Sequence, residues 1–186
     1  MSNVSYAKQR EIHVRVALKT ATVRTVSQRL TVSWRMDETY ICVKGEWRYL
    51  YRAADKDGET IDFLLRAHRD KDAARRYFEK SMAENGAPET VTIDKSGANL
   101  AALEAINDDR ETPIKIRRSK YRNNLVEQDH RAIKRRTRPM LGFKTFRYVR
   151  ILLSGIELAH MIAKGQMKFA LGTHPSRADQ FYDLAT

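Results

Sequence analysis

Polar and apolar residues alternate with a period of two through "MDETYICVKGEWRYLYRAADKDGETIDFLLRA", which predicts three consecutive strands. Thr39, Ile41 and Val43 fall on one face, and Glu38, Tyr40 and Cys42 on the other. "KG" supplies a tight turn before "EWRYLYRA" alternates again. "DKDG" at 55–58 is a second turn, with Asp and Gly where turn geometry favours them. It is not an EF-hand loop, because its Gly comes too early and the later ligands are missing. "ETIDFLL" forms the third strand. The period then lengthens. Asp70 is placed to cap a helix over "KDAARRYFEKSMAEN", which stops at Gly86 with Pro88 beyond.

"ETVTID", 89–94, reads as a short β-branched strand, followed after Lys95-Ser96-Gly97 by the helix "ANLAALEAIN" with Leu100, Leu103 and Ile106 on one side. "TPIKIRR" predicts another strand. A further helix runs from Asn124 to the residues before Pro139. A long final helix extends from Lys144 to Lys168, with Phe146, Val149, Leu153, Ile156 and Ala163 at helical spacing. "GTHPSRADQFYDLAT" reads as a flexible tail. The order βββ-α-β-α-β-α-α predicts an α/β fold: one mixed sheet, antiparallel at first, with helices on its faces.

Composition narrows the function. The chain has 186 residues, enough for one domain with a full core. Its 35 Lys and Arg against 23 Asp and Glu give a net charge of +12. The excess is local, since Lys115 to Arg138 holds ten cations and two acids. Such a block reads as a phosphate-binding surface, against the alternative of a solvated face that aids solubility. Cys42 is the only cysteine, so there is neither a disulfide framework nor a thiolate zinc cluster, and it reads as a small buried hydrophobe. No apolar run reaches membrane-spanning length, and the chain reads as soluble and cytoplasmic, with no membrane partner.

Three acids stand where structure alone rarely places them. Asp37 lies within a strand pattern, Asp94 ends the fourth strand, and Glu127 opens the basic helix "NNLVEQDHRAIKRRTRP". If strands one and four are neighbours, Asp37 and Asp94 lie side by side, and the basic helix can carry Glu127 to the same place. Three carboxylates together repel one another unless a cation neutralises them, and all-oxygen sites suit Mg²⁺ or Mn²⁺. Two such ions can clamp both oxygens of a phosphodiester displacement. Structural roles stand beside this reading. Asn124 and Glu127 fit a capping box, Asp94 can cap the "SGANL" helix, and Asp37 can occupy an exposed strand position. "EQDH" and "ELAH" also match the Glu-x-x-His halves of a di-iron bundle, which a chain opening with three strands does not build.

"WRMDETY", "YLYRAADKDGETIDF", "VTIDKSGANLAAL" and "YRNNLVEQDHRAIKRRTRPMLGFKTF" together resemble the catalytic core of Asp-Asp-Glu insertion-sequence transposases, nearest the IS-six family, over about 33–170. The resemblance implies a ribonuclease H-like, retroviral-integrase-like fold with Asp37, Asp94 and Glu127 as the catalytic and metal-binding triad. Lys134, seven residues after Glu127, matches a basic residue that this class directs at DNA. Lys120, Tyr121, Arg131 and Arg135 are further expected DNA contacts, and His130 and Asn124 are expected to support the acids. The implied cofactor is Mg²⁺ or Mn²⁺, as two ions. The implied partners are double-stranded DNA, at element ends and target, and further copies of the chain. Asp94 and Glu127 stand 33 positions apart, slightly short for the group. Residues 1–33 form a basic leader unlike the family's helix-turn-helix, so the chain reads as a truncated copy: leader 1–33, core 34–170, tail 171–186. A DNA-binding relic without catalysis and a host nuclease on the same fold are the alternative functions.

Overall fold

The computed structural model describes residues 33–94, 96–119, 124–140, 142–167 and 175–183, and at 124 and 125 the backbone alone. The expected leader therefore lies outside the described residues except for Ser33. The chain divides into two compact units, Arg29–Thr145 and a second that takes in Phe146–Thr186.

The first unit is built on a five-stranded sheet. Its strands are β1 (Ser33–Val43), β2 (Glu46–Ala54), β3 (Thr60–Arg66), β4 (Thr90–Ile93) and β5 (Lys115–Arg118), in the spatial order β3-β2-β1-β4-β5. β1, β2 and β3 are antiparallel neighbours, whereas β4 pairs parallel with both β1 and β5. The β1–β2 turn explains its sequence. Val43 pairs with Glu46, leaving Lys44 (φ 54°) and Gly45 (φ 78°) as a two-residue loop with both φ values positive. That backbone follows the strand twist, and a glycine at the second position relieves half its strain. At the β2–β3 turn, Asp55 Oδ1 accepts from the backbone N–H groups of Asp57 and Glu59, each at 2.9 Å.

Helices α1 (Lys71–Asn85) and α2 (Gly97–Asp108) cover one face. Asp70 caps α1 by accepting from Ala73 N at 2.7 Å, and Gly86 (φ 80°) ends it, as the sequence predicts. Trp34 and Met36 from β1 join Tyr51, Ala53, Val91 and Ile93 on that face, packed with Tyr77, Phe78, Leu103 and Ile106 of the two helices. Strand β5 starts later than "TPIKIRR" suggests. The Asn107 side chain clamps Ile114 from both sides, accepting from its N–H at 2.8 Å and donating to its carbonyl at 2.9 Å. A side-chain amide thus takes the hydrogen bonds that a neighbouring strand would make.

Helix α3 (Asn124–Thr137) lies against β1 and β2 and buries Val126 and Ile133. Beyond it, Phe143 adds a single parallel bridge to Val43, with Lys44 N donating to Phe143 O at 2.7 Å.

The second unit holds α4 (Phe146–Ala163) and α5 (Arg177–Asp183). Val149, Leu153 and Ile156 of the predicted stripe are buried, but Ala163 is exposed and the helix stops five residues short of Lys168. Gly165 (φ 73°) closes it, and Gln166 N reaches back to Met161 O at 3.0 Å. The stretch read as a flexible tail contains α5. Ser176 and Asp179 form a reciprocal cap there: Ser176 N donates to Asp179 Oδ2 at 3.0 Å, and Asp179 N to Ser176 Oγ at 3.2 Å.

Candidate active site

Asp37 lies midway along β1, on the face opposite Trp34 and Met36, because side chains alternate along a strand. The β1–β4 ladder pairs Ser33 with Thr90, Trp34 with Val91 and Arg35 with Thr92. Continued by two residues, that register sets Asp37 beside Asp94, on strands about 4.8 Å apart. The neighbours expected from the chain order are therefore the ones that form. Helix α3 crosses the same face, with Glu127 in its first turn.

Each acid has its own protein partner. Asp37 Oδ2 lies 3.6 Å from His130 Nδ1. Asp94 Oδ1 accepts from Ser96 N at 2.8 Å, the turn that leads into α2, while its Oδ2 lies 3.6 Å from Arg69. Glu127 lies 3.9 Å from Arg131, one helical turn on. Asp94 therefore closes a turn onto Ser96, the N-cap residue of α2, in place of the expected cap on the helix itself, and this occupies one of its oxygens. The Asn124 side chain of the expected capping box lies outside the described residues. The three ion contacts are longer than charge-assisted hydrogen bonds, which run near 2.7–2.9 Å. Among the described residues, no group of three or more His, Cys, Asp or Glu side chains is arranged to hold a metal ion. Asp37 and Asp94 are thus neighbours across β1 and the end of β4, without a grouping of the three acids around one point.

Their charges nevertheless act on one another. Asp37 is pushed up to about 7, first by burial, then by the charge of Glu38, with Asp94 and Glu127 adding to it. Repulsion of this kind is what a divalent cation relieves. The donor set is all carboxylate oxygen, suited to a hard cation, and the long contacts leave oxygens uncommitted. The donor atoms are thus of the kind that suits a hard cation, although among the described residues the three acids are not grouped to hold one.

The supporting charges were largely illegible in the sequence. Glu38, which shares a face with exposed Tyr40, is itself buried. It accepts from Asn99 Nδ2 at 2.8 Å and pairs with Arg69, which also faces Asp94. Burial raises the Glu38 carboxyl, while Asn99 and Arg69 oppose the shift. Arg52, opposite Asp37 on β2, is wholly buried. It donates to Asp129 Oδ2 at 3.1 Å from Nε and to Thr60 Oγ1 at 2.5 Å from Nη2. His130 lies within ion-pair distance of Asp37, yet burial first, then the Arg52 and Lys134 charges, holds it down to about 3. The imidazole is therefore neutral near pH 7, and its contact with Asp37 is dipolar.

The basic block faces outward. Arg131 is 76% exposed, Arg135, Arg136 and Arg138 are exposed, and Lys134 is half-buried. Lys120 and Tyr121 lie outside the described residues. Cys42, read as a buried hydrophobe, is half-buried, 3.8 Å from where a Cβ on Gly142 would stand.

A mixed sheet in this order, with acids on adjacent parallel strands and on the helix that crosses them, defines a ribonuclease H-like core. Similarity to solved structures supports that fold. The catalytic core of bovine immunodeficiency virus integrase (BIV) superposes with TM-score 0.50 at 12% identity, over 82% of this chain and 95% of that one. A chain of the simian T-cell lymphotropic virus intasome, solved with the PP2A regulatory subunit B56 gamma, gives 0.51 at 13% identity, over 86% and 56%. Residues 31–166 match the family described as the DDE domain, and the chain belongs to this family of insertion-sequence transposases. A transposase for the insertion sequence-like element IS431mec of Staphylococcus aureus is 39% identical over 133 residues, 70% of this chain. The matched region spans 58% of that relative's length. Among the described residues, no helix is long and apolar enough to cross a membrane.

Proposed function

We propose that this chain is the catalytic core of a DNA transposase, with Asp37, Asp94 and Glu127 holding Mg²⁺ or Mn²⁺, as two ions. The reaction is cleavage of a DNA strand at an element end, followed by attack of the freed 3′-OH on target DNA. What supports the reading is the register that sets Asp37 beside Asp94 and the action of the Asp94 and Glu127 charges on Asp37, in a chain of the DDE family. When bound, divalent cations at these oxygens polarise the phosphodiester and favour the ionised form of the attacking hydroxyl. The chain's own groups do the rest. Arg131, Lys134 and Arg135 bind the strand through its phosphates, with Lys120 and Tyr121 as further contacts. Neutral His130 restrains the Asp37 carboxyl without competing for it as a cation. The Arg52–Asp129 pair fixes α3, and so Glu127, against β2.

Residues 34–170 are the catalytic span in this reading, and 171–186 lie beyond it. The protein works in the bacterial cytoplasm on double-stranded DNA, as an assembly of several copies that brings two ends to one target. The test is a supercoiled plasmid carrying the DNA that flanks this reading frame, incubated with the chain and Mg²⁺ or Mn²⁺. Metal-dependent nicking and end joining are expected, and both vanish in Asp94→Ala. Full cleavage by that variant overturns the assignment. Cleavage without end preference or joining identifies a nuclease instead.

A further inference from the structure

Arg69 stands between β3 and α1, next to Asp70, whose side chain caps that helix and so fixes the end of the loop. Its guanidinium meets three oxygens from separate parts of the chain. Nε pairs with Glu38 Oε1, Nη2 lies 3.6 Å from Asp94 Oδ2, and Nη1 lies 3.4 Å from Tyr40 Oη. Glu38 anchors this group. It is buried, and the wholly buried Asn99 donates from Nδ2 to its other oxygen at 2.8 Å. Asp94 is the loose arm, because its contact is longer than the roughly 2.7–2.9 Å of a charge-assisted hydrogen bond. The guanidinium itself keeps its charge at any working pH.

The three acids differ in what an arriving cation must compete with. His130 offers Asp37 a ring nitrogen at 3.6 Å and no permanent charge. Arg131, beside Glu127, is 76% exposed, so water and salt screen it. Arg69 is only 31% exposed and is tethered by a second carboxylate. We propose that Arg69 is the resident counter-ion of Asp94, a positioning residue that holds this carboxylate until a divalent cation binds and then withdraws onto Glu38. The inference rests on the metal-binding reading above and deepens it. It accounts for acids that act on one another yet are not grouped around one point. Like charges repel, so the guanidinium and a divalent cation do not share Asp94 without cost. Glu38 lowers the cost of the exchange, because the withdrawn guanidinium keeps one carboxylate and is not left as an unpaired, partly buried charge. Asn99 in turn holds Glu38 where it can receive that charge.

The test is calorimetric titration of Mn²⁺ into the full, DNA-free chain at pH 8. Arg69→Gln is expected to bind the ion on the order of tenfold more tightly than wild type, since it removes a positive charge from beside a partly solvated cation site. Arg69→Lys keeps the charge and should bind more weakly than Arg69→Gln. Asp94→Asn should abolish the gain, which places the effect at that carboxylate. Because Arg69→Gln leaves Glu38 buried without its cation, the comparison is repeated with that carboxylate neutralised. There Glu38→Gln/Arg69→Gln should again bind more tightly than Glu38→Gln alone. A merely structural Arg69 would give equal or weaker binding once removed. Such a result, equal affinities for the Gln and Lys variants, or a gain that survives Asp94→Asn overturns the inference. Binding by none of the chains overturns it together with the metal-binding reading. Tighter binding by Arg69→Gln supports it even where no chain cleaves DNA, so this test and the cleavage test fail separately.

Discussion

Asp37 concentrates the chemistry of the molecule in one titration. The unfolded chain releases its proton near the ordinary 3.8, whereas the folded chain holds it to about 7. Between those values the folded state binds more protons. The stability that a protonated Asp37 permits is complete below about pH 4 and is lost as pH rises through 7. His130 runs the other way. Held from 6.5 down to about 3, it contributes stability that is present above pH 6.5 and lost on acidification. Asp37→Asn should therefore stabilise the metal-free fold at pH 8 by roughly 2–4 kcal/mol in urea unfolding, while abolishing cleavage. The variant should also lose the part of the decline with rising pH that Asp37 causes, leaving the opposed trends of His130 and of the raised carboxyls Glu38 and Asp62. Equal stability of variant and wild type at pH 8 contradicts the origin given for the shift. At this scale the sequence showed the acids themselves, because Asp in a strand and Glu before a basic run are chemically out of place. It did not show their partners. Glu38, Arg52 and Arg69 meet acids across distant strands and helices, and a period-two pattern carries no record of cross-chain pairing.

The elements were legible wherever their ends carry local chemistry. Asp70 and Gly86 fix α1 to its predicted bounds, and Lys44-Gly45 fix the β1–β2 turn. Ends set by remote or overlooked contacts were missed. Asn107 delays β5, and Gly165 stops α4 although its apolar stripe runs on. The element that matters most for the site is α3, whose purchase on the sheet depends on Arg52 and Asp129. Both are buried, and they meet at 3.0 Å. Removing one partner leaves an uncompensated charge, so Asp129→Ala should cost about 3–5 kcal/mol in urea unfolding. The double variant Arg52→Met/Asp129→Leu should recover most of that loss, since a buried ion pair and a well-packed apolar pair are of similar worth. A double variant as unstable as the single one shows that the pair does more than neutralise itself.

Across the whole molecule, the sheet order was legible and the division into units was not. The parallel pairing of β1 with β4 follows from strands that alternate with helices, and it alone brings Asp37 to Asp94. The break at Phe146 leaves no trace in composition, because α4 continues the apolar spacing of a core helix. The +12 charge is a molecular property with its own test. Replacing Arg131, Lys134 and Arg135 together with Ala should flatten the slope of log affinity against log salt for duplex DNA by about 2–3. An unchanged slope places the DNA elsewhere on the surface.

The measurement closest to the centre is calorimetric titration of Mn²⁺ into the DNA-free chain at pH 8. The account predicts saturable binding that weakens at pH 6, as Asp37 takes up its proton, and that is lost in Asp37→Asn, Asp94→Asn and Glu127→Gln alike. Binding of undiminished strength in any one of those three variants contradicts it.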